Sequence, residues 1–94
     1  MFDKVKQMME FKRQAEQMKR ELEIARLDCN DVRGIKITID GAQRFHSVEV
    51  ADELLTAGRK SQLESELLRA VNLAIGRSQA AAAEKMKEMT GFNR

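Results

Sequence analysis

Residues 35–50 read Ile35-Lys-Ile-Thr-Ile-Asp-Gly-Ala-Gln-Arg-Phe-His-Ser-Val-Glu-Val50, and the whole fold turns on them. Ile35, Ile37 and Ile39 alternate with Lys36, Thr38 and Asp40, the period-two pattern of a strand with one buried face. Asp40-Gly41 is a turn signal, and residues 44–50 resume the alternation, with His46, Val48 and Val50 on one face and Phe45, Ser47 and Glu49 on the other. Parity allows a two-residue or a four-residue loop. The four-residue loop, Gly41–Arg44, sets Ile37 opposite Val48 and Ile35 opposite Val50, and is preferred for matching apolar pairs. A weaker strand is expected at Leu27–Val32, entering the hairpin near Gly34. Such a sheet has one apolar face and needs a helix to cover it.

The flanking segments supply helices. Upstream, Met8, Phe11, Ala15, Met18, Leu22 and Ala25 recur at spacings of three and four, the seam of a helix that packs on another helix, with no Gly or Pro to interrupt it. Downstream, a short helix is expected at Asp52–Leu55, ended by Thr56-Ala57-Gly58. Ser61 with Glu64 forms a capping-box pattern that would open a long helix running to about Met89, with Thr90-Gly91 as its stop. Leu63, Leu67, Val71, Ala74, Ser78 and Ala82 form its apolar stripe, widened by Leu68 and Ile75. Gly76 sits in its interior, either at a close backbone crossing or simply tolerated at about 1 kcal/mol relative to Ala. The expected fold class is α+β in a single domain spanning residues 1–94: long N-terminal helix, three-stranded antiparallel sheet, short helix, long C-terminal helix.

Ninety-four residues make a marginal core, and a second copy is the usual source of the missing burial. The apolar runs are only a few residues long, so neither a membrane span nor a signal peptide is expected. One cysteine, Cys29, and one histidine, His46, exclude an internal disulfide and a four-ligand zinc site built of Cys and His. His46 and Ser47 are strand neighbours pointing to opposite faces, so they do not form a nucleophile and its base; His46 reads as a packed histidine. The five glycines are scattered, which excludes a phosphate-binding loop. No enzyme, cofactor, metal or small-molecule substrate is expected.

Charge carries the remaining signal. The net charge is only +2, yet residues 1–26 hold seven basic side chains against five acidic ones, residues 27–58 three against six, and residues 59–94 seven against four. On the first helix, Lys12, Lys19 and Arg26 share one heptad position and Lys6, Arg13 and Arg20 the next, a ridge of cations about every 10 Å. That is a usable ladder for a phosphate backbone. It is equally the flank of a dimer seam, where such charges set partner choice, and periodicity alone does not choose between the two. With four phenylalanines and neither Tyr nor Trp to stack on bases, any nucleic-acid binding would be backbone-directed and salt-sensitive. The competing class is a protein-interaction module whose helix seams recruit a partner protein.

An ordered set of segments resembles the YbaB/EbfC family of bacterial nucleoid-associated proteins: Met1-Phe2, the helix ending in Met18-Lys-Arg-Glu-Leu-Glu-Ile-Ala25, then Ile35-Lys-Ile-Thr-Ile-Asp-Gly41, Ser47-Val-Glu-Val50, Asp52-Glu-Leu-Leu55 and Leu68-Arg-Ala-Val-Asn-Leu-Ala74. The resemblance implies a homodimer with a central β-region and projecting helices that binds double-stranded DNA in the bacterial cytoplasm, at the nucleoid. It also implies that basic residues of the first and last helices touch DNA, which maps onto Lys12, Arg13, Lys19, Arg20 and Arg26, and onto Arg69 and Arg77. The chain departs from the family in keeping only Gly34 of a glycine-rich stretch before the main strand, and only Gly91-Phe92 of a Pro/Gly-rich tail.

Overall fold

The computed structural model describes residues 2–90. Helix α1 (Phe2–Ile24) leads into strands β1 (Arg26–Val32), β2 (Ile35–Asp40) and β3 (Phe45–Val50), followed by two 3₁₀ turns, Asp52–Leu54 and Ala57–Arg59, and helix α2 (Lys60–Thr90). The sheet is antiparallel in the order β1-β2-β3, with β2 central. The α+β architecture is as the sequence predicts, and the expected stop at Thr90-Gly91 and the Gly91-Phe92 tail lie outside the described residues.

The alternation of β2 is realised fully: Ile35, Ile37 and Ile39 are buried, and with Cys29, Val32, Leu54, Ala70 and Ala74 they form the core. The opposite face is polar, with Lys36 across from Glu49 (3.8 Å) and the Thr38 hydroxyl donating to Asp28 Oδ1 (2.8 Å), so the sheet is covered on one side only. β1 is a full strand rather than a weak one. Cys29 and Val32, three apart, would face opposite sides of a regular strand. Asn30 and Asp31 together stand opposite Lys36 alone, and this extra residue of β1 turns both inward.

The hairpin register matches expectation at Ile35↔Val50 and Ile37↔Val48, and shifts nearer the turn, where Thr38↔Ser47 is followed by Ile39↔Phe45. His46 is the extra residue. The turn itself closes one residue earlier than predicted, through Asp40 N–H to Arg44 O (2.9 Å), with Gln43 at φ +66°. This is a three-residue loop whose last residue is left-handed. The bulge re-aims His46 from its expected place beside Val48 toward the carboxylate of Asp40.

Helix α2 lies across β1 and β2. Ala70, Ala74 and Ser78 are its most buried residues, whereas Leu68 is 65% exposed and drops out of the predicted stripe. A Cβ on Gly76 would meet nothing within 4 Å, so no backbone crosses there. The capping box is not used: Lys60 is already helical (φ −57°, ψ −50°), placing Ser61 inside the helix, and the chain enters through the turn at Ala57–Arg59 instead.

Only the base of α1 is docked. Leu22 sits on Gly41, whose amide donates to Leu22 O (2.8 Å), and the approach is so close that a Cβ on Gly41 would lie 2.9 Å from Leu22 Cδ2 and 3.1 Å from Leu22 O. Because part of that contact is backbone, a side chain there cannot be absorbed by a rotamer change. Gly41→Ala is expected to lower stability by about 1–2 kcal/mol in urea denaturation, as overpacked sites do. Ion pairs Glu21–Lys85 (3.6 Å) and Glu23–Arg44 (3.7 Å) ring this joint. From residue 2 to residue 17 every position of α1 is exposed. The radius of gyration is 18.6 Å, against about 12 Å for a compact chain of this length. The protein is a small sheet domain with a projecting helical arm.

Candidate nucleic-acid interface

The arm exists because its sequence favours helix locally, rich in Gln, Glu, Lys and Arg, while none of its residues is buried against the described residues. Its cations therefore stand clear of the protein. Lys12, Lys19 and Arg20 are exposed and make no ion pair with any described residue. Arg13 is also exposed, but both Nη2 contacts go to the Glu10 carboxylate, at 2.6 and 2.8 Å. An i,i+3 pair open to solvent is worth only a few tenths of a kcal/mol, roughly 0.2–0.5, so a phosphate can displace Glu10 at small cost.

The other three predicted cations are elsewhere. Arg26 is not on the helix: α1 ends at Ile24, and Arg26 opens β1, its Nη1 donating to Glu23 O (2.6 Å) and so capping the helix terminus. The heptad count overran the helix by two residues. Arg77 is engaged by Asp31 through both Nε (2.7 Å) and Nη2 (2.5 Å), tying α2 to β1. The Arg77 hydrogen bonds hold the Asp31 carboxyl below its ordinary range, and Asp31 in turn pushes the guanidinium pKa up. Arg69 is exposed on α2 without an ion-pair partner among the described residues, nine residues before Ser78 and so about 13 Å along the helix from the hairpin turn toward the far end of the sheet. The structure brings Lys12, Arg13, Lys19 and Arg20 together on the arm and leaves Arg26, Arg69 and Arg77 off it.

Two further cations stand on the arm. Lys6 shares its helix line with Arg13 and Arg20, whereas Lys4 lies about half a turn round, beside Met8 and Phe11 on the apolar side; both are exposed. The seven-residue spacing pointed to Lys6, whereas nothing in the sequence showed which acids would be withdrawn. Glu21 and Glu23 are taken up by Lys85 and Arg44 at the joint. Between Phe2 and Arg20 the arm then carries six cations against Asp3, Glu10 and Glu16, a stronger imbalance than the segment total showed.

The polar cluster at the hairpin has a different task. Asp40 is 1% exposed; Oδ1 accepts from the amides of Ala42 (2.8 Å) and Arg44 (3.0 Å), and Oδ2 lies 2.9 Å from His46 Nε2. Since an ionised carboxylate only accepts, Nε2 carries the proton. Ser78, fully buried on α2, donates to Asp40 O (2.8 Å) and accepts from the Gln43 amide (3.1 Å). Folding thus does bring a carboxylate to His46, and a serine nearby. The serine proton, however, goes to a backbone carbonyl rather than to the imidazole, and Ser78 is closed to solvent. The cluster clamps a turn to a helix.

The model of the YbaB/EbfC DNA-binding family matches residues 1–92. No curated protein matches the chain.

Proposed function

The chain belongs to the YbaB/EbfC DNA-binding family, whose members are non-enzymatic, and from that premise we propose that it acts as a nucleoid-associated protein in the bacterial cytoplasm. In this reading it binds duplex DNA as a homodimer through the cations of α1, chiefly Lys12, Arg13, Lys19 and Arg20 with Lys4 and Lys6, and with little sequence preference. The observation that carries it is the arm itself: a helix exposed from residue 2 to residue 17 with Lys12, Lys19 and Arg20 unpaired among the described residues. Arg69 is a secondary contact at most, and Arg26 and Arg77 act in the fold. No helix among the described residues is long and apolar enough to cross a membrane.

Three unpaired cations on each of two protomers set the salt response. With about six phosphates neutralised, the affinity for a mixed-sequence duplex should fall about 10³-fold between 50 and 200 mM salt. Electrophoretic shift or fluorescence anisotropy measures this directly. A salt-independent affinity would remove the proposal.

A second reading is favoured by the apolar side chains on the same arm, Phe2 (85% exposed), Met8 (72%) and Phe11 (74%). These would suit a module that recruits a partner protein. A partner retained after nuclease treatment, together with absent DNA binding at 50 mM salt, would favour that reading over the first.

A further inference from the structure

The exposed apolar side chains of α1 do not form a single stripe. Met8 and Phe11 stand with Lys4 and Gln7 on the seam side of the helix. Met9 is placed differently. It lines one shallow cleft with Lys6 and Arg13, and the neighbouring one with Val5, Met8 and Lys12.

At about 100° per residue, Lys12 and Lys19 form one line of cations, and Lys6, Arg13 and Arg20 a second, about 100° further round. Val5, Met9 and Phe2 fall between the two lines. All three are open to solvent, at 53%, 66% and 85%. Asp3 and Glu10 lie about 100–120° round from Met9 and so off this strip. Glu16 closes the strip about 10 Å nearer the sheet, confining it to the outer half of the arm.

A helix that touches one strand of phosphates needs one line of cations. Two lines separated by a quarter turn or more face two strands. On a helix about 10–12 Å across they stand about 8–9 Å apart, before the flexible ends of Lys and Arg spread outward. The helix and this span fit the major groove, about 12 Å wide, and exceed the minor groove, about 6 Å wide. With cations on both strands, the strip between them faces the base edges. The apolar group displayed there is the C5-methyl of thymine.

We infer that the outer half of α1 lies along the major groove of duplex DNA, with Val5 and Met9 against thymine methyl groups. Lys12 meets the phosphates of one strand, Lys6 and Arg13 those of the other, and Phe2 extends the apolar strip at the tip. The inference rests on the DNA reading proposed above and adds what the arm recognises, a thymine-bearing major groove. An unbranched Met accepts a methyl group in several positions, so the preference is modest and sits on top of backbone binding.

Two duplexes of one mixed sequence, compared by fluorescence anisotropy at about 50 mM salt, test this. One carries thymine and the other uracil at the same positions, which removes the methyl and keeps every charge and pairing edge. The wild type should bind the uracil duplex at least about fourfold more weakly, the worth of one buried methyl group. Val5→Gln/Met9→Gln keeps the cations and the helix propensity. It should bind both duplexes alike, with the salt response of the wild type. Met8→Gln/Phe11→Gln, altered on the seam side, should retain the preference.

Equal binding of the two duplexes by the wild type overturns the groove assignment and leaves salt-dependent DNA binding standing. Absence of binding to either duplex overturns the DNA reading itself. A preference lost in Met8→Gln/Phe11→Gln and kept in Val5→Gln/Met9→Gln overturns the choice of face. Sedimentation with phosphatidylglycerol vesicles that Val5→Gln/Met9→Gln abolishes, with both duplexes bound alike by the wild type, would give the strip to a lipid surface instead.

Discussion

Asp40→Ala should cost about 3 kcal/mol of stability, a large share of what so small a domain commands. The carboxylate receives the amides of Ala42 and Arg44 and the Nε2 proton of His46, all from a site that is 1% exposed. Truncation strands these donors, and charge-assisted bonds are the ones most missed. The loss should also loosen the arm, because the same turn places Gly41 under Leu22. Urea denaturation at a fixed protomer concentration measures the first effect, and amide exchange at the base of α1 the second. Wild-type stability in Asp40→Ala would show that the turn holds without its clamp.

The same residue gives the protein an acid limit. Burial pushes the Asp40 carboxyl up, but the hydrogen bonds from His46 and from the amides of Arg44 and Ala42 outweigh it and hold the carboxyl below its ordinary range. A carboxylate depressed by folding stabilises fully above its unfolded pKa, and that contribution is lost as pH falls through the folded value. Asp31, held down by Arg77, acts in the same direction. Stability should therefore decline below the ordinary carboxylate range. Asp40→Asn keeps an oxygen for the two turn amides but loses the charge, so it should be less stable at neutral pH and decline less steeply in acid. An unchanged acid limb in Asp40→Asn would assign the effect to other groups.

The largest effect on binding is expected from reversing Lys12, Lys19 and Arg20 together to Glu. Each phosphate contact contributes about 0.9 to the logarithmic salt slope, so losing three per protomer should weaken DNA binding by at least about 100-fold at 0.1 M salt and flatten its salt dependence. The reduction should be nearly uniform across DNA sequences, as it is for contacts that carry no base information. These side chains are exposed and unpaired, so the fold and the dimer should be unaffected. Reversal of Arg77 is the instructive contrast: it breaks the Asp31 clamp and should destabilise the fold rather than act on DNA alone. A triple variant that binds as the wild type does would remove the arm from the interface.

The elements that were legible in the sequence are those whose side chains repeat. Ile35, Ile37 and Ile39 revealed β2 and its buried face because a period of two has one physical realisation in a half-buried sheet. The spacing of Met8 to Leu22 revealed α1 in the same way. What escaped were single-residue events. The extra residue at His46 and the one between Cys29 and Val32 change which face a side chain takes without altering composition. Ser61 carried a valid capping signal that the structure passes over, because the turn at Ala57–Arg59 starts the helix one residue earlier. Arg26 and Arg77 looked like their neighbours on the ridge, and only their partners, Glu23 O and the Asp31 carboxylate, separate them from it.

The sequence by itself determined a basic α+β chain with two long helices around a short sheet, since periodicity, turn residues and charge are local properties that a linear reading can count. Tertiary structure alone decided which charges are free. Glu21, Glu23 and Asp31 each meet a cation from a distant segment, removing three acids and three bases that the linear sum treats alike. Partnership across the chain is a matter of distance in space, and Coulomb attraction falls with that distance and not with separation along the sequence. Docking α1 only at its base is a fact of the same kind. It converts a +2 chain into one whose unpaired cations stand on an exposed arm.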